Sequence, residues 1–237
     1  MSKMHKYYLG LKELDEAIGG ISGGANIMLI GPPMSGKDSI LNNIIAAGLS
    51  SEEGVIFLTT KVPGESVIEK FSGEGEGKIN NIGIVDCISK SLGLGSNDTP
   101  SIKRATSPVD LTGIGVRISQ FIEEFGKHKN IKDVRLCINS LSTILMYSNL
   151  QTVFRFMHVF SGRVTAIKAL GVYVVEEGMH DEQTISTLKQ LFNGVIEVKV
   201  ENDSYYMRAA GLTPRPTRWF EYEVVNDMAV IRGVKDD

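Results

Sequence analysis

Cysteine is scarce in this 237-residue sequence: Cys87 and Cys137 are the two, each inside an apolar run, "IGIVDC" and "VRLCIN". Two thiols in such surroundings read as buried and reduced, which excludes a disulfide framework. No spacing of cysteine and histidine fits a zinc site. Long hydrophobic runs are also missing: no apolar stretch approaches the ~18 residues that cross a bilayer. The amino terminus, "MSKMHKYYLG", lacks the apolar centre of a signal peptide. Neither sign of charge is in large excess, since 25 Lys and Arg stand against 28 Asp and Glu for a net charge of −3. That balance gives no general attraction to nucleic acid or to an anionic membrane. Internal repeats and coiled-coil heptads are absent. These absences set the expectation of a soluble, cytoplasmic protein without a membrane span.

What the chain does have is 42% hydrophobic and 22% charged residues, an ordinary globular balance. Its length suits one large α/β domain over residues 1–237. Short runs at 25–31, 54–60, 82–87, 134–139 and 171–176 are apolar on both faces, as in strands of a parallel sheet covered by helices. Between them lie segments of helical period. Leu111, Ile114, Ile118, Phe121, Ile122 and Phe125 recur at steps of three and four, and 149–167 repeats the pattern through Val153, Phe156, Met157, Phe160 and Val164. This alternation predicts a doubly wound sheet. From residue 194 the pattern changes to alternating runs around Asn202-Asp203 and Asn226-Asp227, which predict hairpins and an antiparallel extension over 194–237. The interval 89–108, "SKSLGLGSNDTPSIKRATSP", is too long for a tight connection and is expected to be a mobile or ligand-facing loop.

One stretch carries chemistry: "IGPPMSGKDS", Ile30 to Ser39. It follows a predicted strand, precedes a predicted helix, and places Gly31, Gly36 and Lys37 at the fixed letters of the phosphate-binding pattern G-x-x-x-x-G-K-S/T. The glycines let the backbone turn its N–H groups inward, the helix terminus adds partial positive charge, and the lysine reaches for phosphate. The candidate nucleotide-binding residues are Gly31, Pro32, Pro33, Ser35, Gly36, Lys37, Asp38 and Ser39. Asp38 stands where the magnesium-binding hydroxyl belongs. A carboxylate there is a hard oxygen ligand, but it puts a negative charge beside the phosphates, and it also suits the capping of its own helix. Ser39 comes one residue late, a turn of about 100° around the helix.

The stretch "LGLKELDEAIGGISGGANIMLIGPPMSGKDS" resembles the entry of RecA-type ATPases of the KaiC-like group, common in archaea, through Leu14-Asp15, Gly19-Gly20 and the loop itself. The resemblance continues in "INSLSTIL" and "LFNGVIEVKV" and so spans most of the chain. It implies a RecA-like core, a mostly parallel sheet with helices on both faces, ATP or ADP with magnesium as ligand, and homo-oligomers that are often rings.

Against that family pattern three positions depart. Asp38 replaces the loop hydroxyl. Asn139 replaces the aspartate that orients magnesium, and its amide accepts hydrogen bonds but carries no charge. Lys61 replaces the glutamate that activates water, and a lysine of ordinary pKa removes no proton. The three departures touch three parts of one mechanism, so Lys61 and Asp38 are expected to pair across the mouth of the site.

Other positions take plainer readings. Glu176 and Glu177 are read as a solvated strand-end turn leading to His180-Asp181, and Asp86 as a strand-end cap. Lys103 and Arg104 are read as solvated loop charges, Trp219 and Phe220 as core, and His158 as packed or edge-exposed. "AGLTPRPTRW" carries Arg215 and Arg218 but lacks the K-x-R pair that reaches a neighbouring subunit in the KaiC-like group, and its prolines fit an extended connector. The sequence assigns no catalytic residue and no metal ligand. It leaves three readings: a regulatory or scaffolding RecA-like protein with little or no ATP hydrolysis and an unknown protein partner; an active ATPase or kinase whose acids are rearranged onto Glu176, Glu177 or Asp86; and a recombinase-related DNA-binding protein, which the charge balance disfavours.

Overall fold

The computed structural model describes residues 5–72, 79–95 and 97–235. The chain enters through a two-stranded ribbon, β1 (Lys6–Tyr7) with β2 (Ile21–Ser22), enclosing α1 (Lys12–Ile18). It continues through β3 (Asn26–Gly31), α2 (Lys37–Ser50), β4 (Gly54–Thr59), α3 (Gly64–Phe71), β5 (Ile82–Asp86), β6 (Ile102–Arg104) and α4 (Leu111–Glu123). Next come β7 (Val134–Asn139), α5 (Leu141–Tyr147), α6 (Leu150–Ala166), β8 (Leu170–Glu176) and α7 (Glu182–Lys189). Four strands finish the chain: β9 (Gly194–Glu201), β10 (Ser204–Ala210), β11 (Trp219–Val225) and β12 (Met228–Lys235).

Ten of these strands form one sheet in the order β12-β11-β10-β9-β3-β8-β7-β4-β5-β6. Every pairing from β9 to β6 is parallel, and β9 to β12 are antiparallel. The five predicted apolar strands form the middle, and every residue of β3, β4, β5 and β8 is buried. That burial explains why they read as continuous apolar runs and not as alternating ones. One face packs on Ile40, Ile44 and Leu49 of α2 and on Phe71 of α3. The other packs on Ile114, Ile118 and Phe121 of α4 and on Val153, Met157 and Phe160 of α6. Both hairpins form where the sequence predicts. Asn202 and Asp203 have φ of 49° and 62°, as do Asn226 and Asp227, the left-handed pair of a type I′ turn.

Two expectations are corrected here. The interval 89–108 is not simply a loop, because Ile102–Arg104 adds β6 to the edge of the sheet. Ser96 lies outside the described residues. Nor are its charges solvated. Arg104 is buried, pairs with Glu65 and donates to the Asn97 carbonyl, while Lys103 lies 5.1 Å from the centre of the Phe121 ring. Charged residues on a short edge strand hide the strand signal and protect the edge. The second correction concerns Trp219. Phe220 is core, but Trp219 faces outward between Lys199 at 4.5 Å and Arg208 at 4.4 Å, because neighbours on a strand point to opposite faces. His158 is exposed and stacks on Phe154. Among the described residues, no helix is long and apolar enough to cross a membrane.

Candidate functional site

The loop between β3 and α2 lies at the carboxyl edge of the parallel strands, where ligands of such sheets bind. Gly36 caps α2 at φ 73°, and Met34 at the apex has φ 59°. A side chain at Gly36 is excluded twice, by the left-handed backbone and because a Cβ would stand 2.8 Å from Val224 Cγ2. The second reason is tertiary. The β11–β12 hairpin lies across the loop and α2, with Tyr222 Oη donating to the Ser35 carbonyl at 2.5 Å. Asn42 Nδ2 donates to the Asp227 carbonyl at 2.7 Å, and Asn43 exchanges two hydrogen bonds with the Ala229 backbone at 2.8 and 3.1 Å. The extension that closes the sheet therefore also clamps the loop, which its alternating pattern alone did not reveal.

Lys37 is 3% exposed. Its ammonium donates to the Pro32 carbonyl at 2.9 Å and forms a close ion pair with Glu176 Oε2. This corrects the reading of Glu176 as a solvated turn. β8 lies beside β3 in a register that sets Glu176 against Gly31, and only 8% of the residue is exposed. Its N–H donates to Ser142 Oγ at 2.9 Å, so α5 helps to hold it. Glu177, the next residue, is exposed as expected.

The other oxygen of Glu176 lies 3.3 Å from Lys61 Nζ. Lys61 Nζ in turn lies 3.3 and 3.4 Å from the two oxygens of Asp38, the pair expected from sequence. Asp38 does not cap its own helix; its carboxylate accepts from Lys61 and from Asn139 Nδ2 at 3.2 Å. The three departing residues thus meet. What brings them together is the adjacency of β4 and β7, whose ends are stitched by Thr60: its N–H and hydroxyl donate to the Asn139 carbonyl, and its hydroxyl accepts from Ser140 N at 3.0 Å. The chain Lys37–Glu176–Lys61–Asp38–Asn139 holds two ammonium groups and two carboxylates, so its charges cancel. Within it, Asn139 Oδ1 has no partner, and neither does the neighbouring buried hydroxyl Ser35 Oγ.

The remaining loop residues are spread around this chain. Pro32 supplies a carbonyl, Pro33 is exposed, and Ser39 is buried on α2. Asp86 stays outside it as a structural cap. It accepts from the N–H groups of Gly64, Ile88 and Ser89, each at 2.9 Å, and from Ser89 Oγ at 2.6 Å. Burial works to raise its pKa, but these hydrogen bonds outweigh it and hold the carboxyl below its ordinary value. The connector with Arg215 and Arg218 joins β10 to β11. The β9–β10 and β3–β9 registers place it at the opposite edge of the sheet from the loop.

A magnesium–nucleotide does not fit these residues as they stand. The loop lysine is already paired with a carboxylate, an ammonium lies between Asp38 and Glu176, and Asn139 carries no charge. Among the described residues, no group of three or more His, Cys, Asp and Glu side chains is placed to hold a metal ion.

Solved structures resemble the whole fold. A KaiC-like protein from the hyperthermophilic archaeon Pyrococcus horikoshii is 18% identical, with a TM-score of 0.72 over 97% of this chain and 100% of that one. An uncharacterized protein from the same organism, solved in complex with an unknown peptide, is 15% identical with a TM-score of 0.73 over the same shares. Together with the sheet order, they show a KaiC-like fold of the RecA type. No match was found among curated proteins. Residues 24–198, well over half of the chain, match the family described as a family of unknown function (DUF7504), and the chain belongs to that family.

Proposed function

We propose that this protein is a regulatory or scaffolding member of the RecA-like group, with little or no ATP hydrolysis. The observation that carries the reading is the Lys37–Glu176 pair: the cation that would grip phosphate is buried and already neutralised inside the chain. Hydrolysis also lacks its usual groups, because an ammonium and an amide stand where a base and a metal-orienting acid belong. Nucleotide enters only if Glu176 releases Lys37. A protein partner fits the scaffold role, as one structurally similar protein was solved with an unknown peptide. Homo-oligomers follow from the resemblance alone, and light scattering of the purified protein tests them. Calorimetry with ATP and magnesium tests the closed loop: a dissociation constant in the low micromolar range overturns it.

The second reading, an ATPase or kinase with rearranged acids, draws on Glu176, a carboxylate inside the site. Both of its oxygens face lysine ammonium groups, so neither is free to take a proton from water. Steady ATP turnover that vanishes in Lys37→Ala would favour this reading over the first. DNA binding has less support. On the outer sheet face, Trp219 is covered by Lys199 and Arg208, whose charges pair with Glu201 and Glu197.

A further inference from the structure

We infer that the loop carries both of its counter-ions as side chains: the Glu176 carboxylate fills the place of the bound anion, and the Lys61 ammonium fills the place of the metal. This rests on the closed-loop reading above and says what closes it.

In a working phosphate loop, the lysine and the cation grip oxygens of one phosphoryl group between them. Here one carboxylate is gripped in that way. Its Oε2 pairs with Lys37 and its Oε1 lies 3.3 Å from Lys61 Nζ. A cation in such a loop is met by the residue after the lysine and is oriented by the end of the strand bearing the family's aspartate. Here the residue after the lysine is Asp38, both of whose oxygens lie within 3.4 Å of Lys61 Nζ, and the strand-end residue is Asn139, bonded to Asp38 at 3.2 Å. An ammonium has three donors and one charge. It therefore neutralises Asp38 and bridges to Glu176, and a divalent ion cannot join without expelling it.

A carboxylate has fewer oxygens than a phosphate group, and a side-chain ammonium carries none of the water that magnesium keeps, so the replacement leaves a mark. Ser35 Oγ and Asn139 Oδ1 are both left without a partner. Buried polar atoms are nearly always satisfied. An unmet hydroxyl on the loop and an unmet amide oxygen in the ion-pair chain are what remains when a carboxylate and an ammonium stand in for a phosphate group and a hydrated ion. The three departures from the family pattern then belong to one change. A lysine at 61 calls for an acid at 38 to hold it, and with that lysine in place the aspartate at 139 is no longer needed to attract a metal.

The test uses the full chain as wild type, Glu176→Gln and Lys61→Met, with two probes. ATP in the presence of EDTA is titrated by calorimetry, and manganese alone by electron paramagnetic resonance. Glu176→Gln should bind metal-free ATP at least about tenfold more tightly than wild type, since Lys37 is released and one negative charge is removed. Lys61→Met should bind manganese at least about tenfold more tightly than wild type, through Asp38, Glu176 and Asn139. A folded Glu176→Gln no better than wild type for metal-free ATP sinks the anion half. A Lys61→Met no better for manganese sinks the metal half, and that arm stands even if Glu176→Gln does not fold, because Lys61 lies at the partly exposed mouth. ATP turnover by wild type defeats the regulatory reading instead, and is scored separately from the two binding shifts.

Discussion

Strands β4 and β7 carry an ion-pair cluster at each end. At the carboxyl end, Lys61 and Asn139 join Asp38 and Glu176 at a mouth open to solvent. At the amino end, Arg135 of β7 meets Glu53, the residue before β4, and both are almost wholly buried, at 0% and 3% exposure. The Arg135 guanidinium holds both Glu53 oxygens, donates to the carbonyls of Tyr8 and Ile44 at 2.6 and 2.9 Å, and lies 5.5 Å from the Tyr7 ring centre. Burial pushes the Tyr7 hydroxyl well above its ordinary pKa, and it stays a neutral donor to the Lys168 carbonyl. The two clusters use similar charges for different ends. The buried fork is rigid, fully satisfied and ties the entry ribbon to the sheet. The mouth cluster is longer, uses flexible lysines and is less completely satisfied: Asn139 Oδ1 has no partner, and Glu176 Oε2 has its ion pair with Lys37 but no hydrogen bond of good geometry.

The largest effect should come from the buried cluster. Arg135→Ala should cost about 4 kcal/mol in urea unfolding, because it strands the Glu53 carboxylate in the core. Replacing both partners, Arg135→Met with Glu53→Leu, should recover most of that loss. If Arg135→Ala costs no more than a surface change, the contrast between the two ends fails.

Asp86→Asn comes next, at about 2 kcal/mol at neutral pH, since an amide cannot accept four hydrogen bonds as a carboxylate does. The folded pKa of Asp86 is depressed, so its contribution is present above the unfolded carboxylate value of about 4 and is lost as pH falls below it. Thermal melts of wild type and Asp86→Asn should therefore converge on acidification, and a gap that widens at low pH would contradict the capping role. Tyr222→Phe removes the clamp bond to Ser35 and should cost about 1 kcal/mol, with faster amide exchange confined to residues 34–37. The smallest effect belongs to the mouth: a double-mutant cycle of Lys61→Ala and Asp38→Ala should give a coupling below about 1 kcal/mol, because this pair is substantially solvent-exposed. A coupling of several kcal/mol would make the mouth cluster a structural one like its counterpart.

Much of the fold was legible because buried parallel strands and amphipathic helices leave strong periodic marks. β3, β4, β5, β7 and β8 could be read from their apolar runs, and both hairpins from Asn-Asp pairs that tolerate left-handed backbone. β6 could not, since an edge strand of "IKR" has neither length nor apolarity. Arg135 was hidden in "VRLCIN", where a single charge inside an apolar run does not say whether it snorkels out or finds a buried acid. In the site, the loop and its three departures were legible letter by letter, and so was the pairing of Lys61 with Asp38. Glu176 was not, because a strand-end glutamate beside a second one reads as a solvated turn until the β3–β8 register sets it against Gly31.

By itself the sequence determined the local matters: strand and helix periods, turn chemistry, and which residue types occupy the loop between β3 and α2. These depend on near neighbours along the chain, so the chain alone can specify them. Only the tertiary structure decided which charges neutralise which. Lys37, Glu176, Lys61, Asp38 and Asn139 come from three separate strand ends and one helix terminus, and electrostatic pairing depends on distances in space that no spacing in sequence reports.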